Sequence, residues 1–175
     1  MAASTSLRAR AAVETGQNPN KCYQCGNCSA GCPVAGRGDY LPHQIFRLLQ
    51  MDCDEPLRAV QPWLCVGCQT CAVRCPQELD LSRVMDFLRA EQVRAGTVPP
   101  SARAMAAFNQ TFLQQVLSRG RLEEVRLGAV YNLKTRAPFQ NLLAVPGLLL
   151  RGKIRVSLRA LRGPGRALKR ERRTS

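Results

Sequence analysis

Cys22-Tyr23-Gln24-Cys25-Gly26-Asn27-Cys28-Ser29-Ala30-Gly31-Cys32-Pro33 returns later in the chain as Cys65-Val66-Gly67-Cys68-Gln69-Thr70-Cys71-Ala72-Val73-Arg74-Cys75-Pro76. Both stretches read C-x2-C-x2-C-x3-C-P, and of the nine cysteines only Cys53 lies outside them. Three cysteines at this spacing let one loop wrap three corners of an iron-sulfur cubane and aim backbone N–H groups at its sulfides. The fourth corner must come from elsewhere, and the proline after the last cysteine turns the chain away without offering a competing donor. In a tandem run of this kind the fourth cysteine ligates the other cluster. The spacing therefore predicts Cys22, Cys25, Cys28 and Cys75 around one 4Fe-4S cluster, and Cys65, Cys68, Cys71 and Cys32 around a second.

Zinc is the competing metal, because structural zinc sites also use C-x2-C pairs. Zinc ribbons take two separated pairs per ion, whereas each run here offers three close thiolates, a fourth and a proline, twice over. A disulfide framework is disfavoured by the odd cysteine count in tight repeated spacing. A cluster with four cysteine ligands has no labile iron to offer a substrate, so these residues read as cofactor ligands and none as catalytic. Gly26, Gly31 and Gly67 lie inside the runs, where close approach of backbone to a cluster would penalise a Cβ.

The flanking sequence is helical in pattern, and no stretch shows the alternation of a strand. Pro42 marks a helix start followed by Ile45, Phe46, Leu48 and Leu49. Asp54 is a candidate cap for a short helix carrying Pro56, Leu57 and Val60. Asp80 is the expected cap of a longer helix with Leu81, Val84, Met85 and Leu88 on one face and a stop at Gly96. Ser101 is the expected cap of a further helix through Met105, Phe108, Phe112, Leu113, Val116 and Leu117, ending near Gly120. Another helical stretch runs through Leu122, Val125, Ala129, Val130 and Leu133. The expected organisation is a flexible segment over 1–20, a two-cluster domain over 21–96, a helical, partner-docking region over 97–150 and a basic tail over 151–175.

With 175 residues and 5% aromatics the chain holds one modest core, so the clusters are expected to anchor the fold. Its formal charge of +14 is concentrated at the end: residues 151–175 hold ten basic residues against Glu171. No aromatic residues are interleaved there for base stacking, so nucleic acid is not the expected partner. The apolar segment Leu142–Leu150 is broken by Pro146 and Gly147 and falls short of the roughly 18 residues of a membrane span. With no secretory signal in Met1–Gly16, a cytoplasmic location is expected. Cys53 reads as an ordinary free thiol and His43 as structural. Trp63 reads as a cluster shield or core residue, and Glu123 and Glu124 as solvent-facing.

Cys22-Tyr23-Gln24-Cys25-Gly26-Asn27-Cys28, Pro42-His43-Gln44-Ile45-Phe46-Arg47-Leu48-Leu49-Gln50, Trp63-Leu64-Cys65 and Arg83-Val84-Met85-Asp86 together resemble the C subunit of heterodisulfide reductase. The resemblance covers about residues 20–120, with Phe108-Asn109 and Phe112-Leu113 as weaker support. It implies a mainly α fold of the α-helical ferredoxin type with two 4Fe-4S clusters, followed by C-terminal helices and the basic tail. It also implies electron relay between a flavin-containing A-type subunit and a B-type subunit whose Cys-Cys-Gly motifs bind the clusters that reduce disulfides. No adjacent cysteine pair occurs in this chain, which places that active site elsewhere. The iron-sulfur subunit of a succinate- or glycolate-oxidising enzyme is the alternative, although few residues precede Cys22 for the extra ferredoxin domain of the succinate type.

Overall fold

The computed structural model describes residues 6–135, and among them every regular element is a helix. Two compact units divide at Arg103 and Ala104. The Leu142–Leu150 segment and the basic tail lie outside the described residues.

The first unit is built around α3 (Pro42–Gln50) and α6 (Leu81–Ala95). Proline at the first position pre-sets the backbone of α3, and Gln44 reaches back so that its Oε1 accepts from Leu41 N at 2.7 Å. Ile45, Phe46 and Leu49 form its buried face. Asp80 starts α6 by accepting from the backbone N–H groups of Ser82 and Arg83, and Gly96 ends it at φ +68°. Val84, Met85 and Leu88 of α6 join the α3 side chains in one apolar core. Burying each such side chain stabilises the fold by roughly 1.5–3 kcal/mol, so this cluster is the apolar anchor of the first unit.

Short helices carry the rest of the unit: α2 (Asn27–Ala30), α4 (Gln61–Leu64) and α5 (Thr70–Val73), with a 3-10 turn at Glu55–Leu57. Asp54 precedes that turn, but its side chain makes no capping bond. Trp63 of α4 is buried and donates its indole N–H to Gln92 Oε1 at 2.5 Å. Gln92 Nε2 in turn donates to the carbonyls of Pro56 and Ala59 at 2.9 and 2.8 Å. One fully buried amide thus ties α4 and the preceding turn to α6, which makes Trp63 a core residue.

The flexible segment expected over 1–20 is corrected by α1 (Leu7–Thr15). Ser6 caps it by accepting from Ala9 N, and Gly16 closes it at φ +69°. Leu7 and Ala11 enter the core, Arg8 Nη1 donates to Gln50 O at 3.2 Å, and Arg10 and Arg94 pair with Glu91. The apolar face of α1 is small because Ala11 lets the helix approach closely, and so little side chain leaves a faint sequence pattern.

The second unit contains α7 (Arg103–Arg119) and α8 (Glu124–Lys134). Ser101 does not cap α7: it lies within a 3-10 turn, Pro100–Ala102, that leads directly into the helix. Phe108 packs on Phe112 and edge-on against Tyr131 at 5.8 Å between centroids. Glu123 is not solvent-facing as expected. It precedes α8, its side chain is only 13% exposed, and it pairs with Arg119 at 3.0 Å while its N–H donates to Gln115 Oε1. Glu124 is exposed.

Candidate metal centre

The two cysteine runs share a backbone as well as a spacing. Counting from the first cysteine, the third and fifth residues of each run lie in the left-handed region: Gln24 (φ +64°) and Gly26 (+79°), then Gly67 (+64°) and Gln69 (+62°). Glycine tolerates this conformation freely and glutamine does not, so each run holds one strained residue that its surroundings must maintain. A short helix follows at the same place in both, α2 and α5. Cys32 N donates to Ser29 O as Cys75 N donates to Ala72 O, each at 3.2 Å. This doubled curl turns the second and third cysteines of each run toward a common hollow.

Two cavities result. One is lined by Cys22, Cys25, Cys28 and Cys75, together with Cys71, His43, Phe46 and Leu79. The other is lined by Cys65, Cys68, Cys71 and Cys32, together with Gln61, Gln69, Ser82 and Met85. Each collects three cysteines from one run and the fourth of the other, and the first also takes in Cys71 of the second run. Cys71 and Leu81 line both, so the cavities are neighbours. The thiols surround hollows, and among the described residues no three His, Cys, Asp or Glu groups converge to hold a single metal ion. That arrangement fits a polynuclear cluster with four thiolate corners.

Burial differs around each rim. Cys25 and Cys68, the second cysteines of their runs, are exposed, and the other six are partly buried. Burial pushes the Cys22, Cys28 and Cys65 thiols up from the ordinary cysteine value. Burial and then the neighbouring Cys65 push Cys71 up to about 11. Cys68 moves down, because the Thr70 hydroxyl and N–H hydrogen-bond to its sulfur. At neutral pH the four raised thiols carry a proton that a metal must displace.

Several polar groups approach the sulfurs. Gln24 Nε2 donates to Cys22 Sγ at 3.3 Å, and the Thr70 hydroxyl lies 3.4 Å from Cys68 Sγ. His43 stands at the wall of the first cavity, where Ser29 Oγ accepts from its backbone N at 3.0 Å and meets its Nδ1 at 2.7 Å. Trp63 lines neither cavity. Cys53 also lies apart from both, and partial burial with the nearby Glu55, Asp52 and Asp54 pushes its thiol up. Gly31 serves a different approach from the expected one: a Cβ there would fall 2.6 Å from Arg74 Nη1. Gln61 and Ser82 had no motif to mark them, since they reach the second cavity only through the packing of α4 and α6.

Residues 18–79 match the 4Fe-4S dicluster domain, which indicates two 4Fe-4S clusters in that part of the chain. More particularly, the chain is similar to C subunits of heterodisulfide reductases. It is 29% identical over 105 residues to the CoB-CoM heterodisulfide reductase iron-sulfur C subunit 2 of Methanocaldococcus jannaschii, covering 60% of this chain and 56% of that one. It is 32% identical over 94 residues to the C subunit of the H(2):CoB-CoM heterodisulfide,ferredoxin reductase of Methanothermobacter thermautotrophicus, covering 53% and 51%. The chain spans about half the length of the curated relatives it matches. No described helix is long and apolar enough to cross a membrane.

Proposed function

We propose that this chain is the electron-transfer subunit of a heterodisulfide reductase-like complex, working in the cytoplasm. Cys22, Cys25, Cys28 and Cys75 hold one 4Fe-4S cluster and Cys65, Cys68, Cys71 and Cys32 the other. The observation that carries this reading is the pair of adjacent cavities, each lined by three cysteines of one run and the fourth of its counterpart, with Cys71 shared between them. When bound, each cluster stores one electron with little rearrangement. The protein's part is to fix the two sites side by side, to bury most of each thiol set and to leave one cysteine of each at the surface. Cys25 and Cys68 are then the corners nearest to outside partners. Those partners, on the strength of the family resemblance, are a flavin-containing A-type subunit and a B-type subunit with Cys-Cys-Gly clusters. Disulfide chemistry belongs to the latter, because four committed thiolates leave no open iron position here.

Anaerobic loading of the full-length chain tests the cofactor assignment. About eight irons per chain, with absorbance bleached by dithionite and a paramagnetic signal from each reduced cluster, are expected. Zinc in place of iron, or far fewer irons, overturns it. Stoichiometric reoxidation of the reduced chain by a B-type subunit is the corresponding test of the relay.

A further inference from the structure

We infer that the side-chain amide of Gln61 donates a hydrogen bond to the cluster held by Cys32, Cys65, Cys68 and Cys71, and so raises the reduction potential of that cluster alone. This role rests on the cluster reading above. Gln61 is 1% exposed and lines the cavity of those four cysteines, not the other one. Its backbone N–H is occupied, donating to Asp39 Oδ1 at 3.0 Å. Its side-chain Oε1 has no hydrogen-bond partner in the protein. Gly38 makes room for that end of the side chain, since a Cβ there would overlap Oε1.

A buried polar group left unsatisfied is costly to the fold. Among the described residues Gln92 is as deeply buried as Gln61, and its oxygen accepts from Trp63 while its nitrogen donates to two carbonyls. Gln61 lines the cavity with its Oε1 unpartnered beside Gly38. The terminal torsion of glutamine is broad and roughly two-fold, so the amide can present its N–H at little cost. A cluster in this cavity offers only acceptors, its sulfides and thiolates, and therefore selects that orientation.

One-electron reduction adds a negative charge to the cluster, with no bond made or broken and no proton taken up. A donor to its sulfurs stabilises the reduced form more than the oxidised one, which moves the potential upward. The cavity of Cys22, Cys25, Cys28 and Cys75 has no counterpart to this buried, otherwise unpartnered amide among its described lining residues.

The experiment is an electron paramagnetic resonance titration of anaerobically loaded, full-length protein, with dithionite as reductant. Gln61→Met keeps the length of the side chain without its N–H, and Gln61→Glu replaces the amide with a group that is acceptor-only when ionised. For Gln61→Met, one of the two midpoint potentials falls and the other stays. The reduced-to-oxidised ratio of the affected cluster at fixed ambient potential drops about tenfold, which is about 59 mV for one electron. Gln61→Glu lowers the same midpoint at least as far. Unchanged midpoints in iron-replete variants overturn the inference, as does an equal fall of both. Loss of the cluster from both variants also overturns it, because Gln61 would then hold the site and not tune it. Wild-type protein that fails to load, or whose clusters cannot be reduced, instead defeats the relay reading beneath it.

Discussion

Cys71 lines both cavities and has the most strongly displaced thiol among the cluster residues, raised to about 11. A raised value means that the folded chain keeps this proton longer than the unfolded chain, whose cysteines titrate near 9.0. The stabilisation is fully present below pH 9 and is lost as pH climbs through the folded value. Cys22, Cys28 and Cys65 shift the same way, and Cys68 offsets part of their effect. Reduced, chelator-treated protein should therefore show a falling denaturant midpoint between pH 9 and 11, and Cys71→Ser should flatten that slope. A midpoint that rises over this range contradicts the assignment of the shifts. Loading with iron removes these protons altogether, so the alkaline slope should be absent from the holo-protein. Cysteine spacing made the ligand chemistry legible, but Gln24 and Gln69 show where the reading stopped. Their positive φ values come from the curl of the runs, and nothing in a glutamine announces it.

Among the elements, α6 was legible at both ends because its stop signals are local. Asp80 bonds two backbone N–H groups that the helix cannot satisfy itself, and Gly96 accepts a left-handed conformation. Asp80→Ala should cost about 1 kcal/mol, measured as a lower denaturation midpoint of the loaded protein at neutral pH. A loss within experimental error would show that the cap is redundant with the packing of the helix. The helix α1 was missed because its signal is distributed over partners remote in sequence. Ala11 is fully buried, and Arg8 and Arg10 are fixed by Gln50 and Glu91, none of which marks residues 7–15 as helical on their own. Ala11→Leu should overpack this contact and cost about 1–3 kcal/mol, with faster amide exchange confined at first to α1. Exchange unchanged in α1 would mean that the segment contributes little to the core. Ser101 misled for a related reason: Pro100 favours a 3-10 turn, and that turn takes over the start of α7.

At the scale of the whole molecule, the crossing of the runs makes distant parts of the chain depend on one another. Cys32 belongs by sequence to the first run, yet it lines the cavity of Cys65, Cys68 and Cys71, while Cys75 lines that of Cys22, Cys25 and Cys28. With the proposed ligand set, exchange of the fourth ligand staples the two runs across the helices between them, which couples cluster loading to folding of the first unit. A double-substitution cycle separates this from the uncrossed alternative. If Cys32 and Cys68 serve one cluster, Cys32→Ala and Cys68→Ala should each remove the same paramagnetic signal. The double variant should be no worse than either single one, retaining about four irons. Cys32→Ala combined with Cys25→Ala should instead damage both clusters and leave almost no iron. An uncrossed arrangement predicts the reverse, with the Cys25 pair non-additive and the Cys68 pair additive. The comparison is internal, so a general loss of stability that lowers loading in every variant equally would not imitate either pattern. Because Cys32 and Cys75 each follow the short helix of their run, the order of the two pairs reports directly on whether α2 and α5 deliver their last cysteines across the repeat.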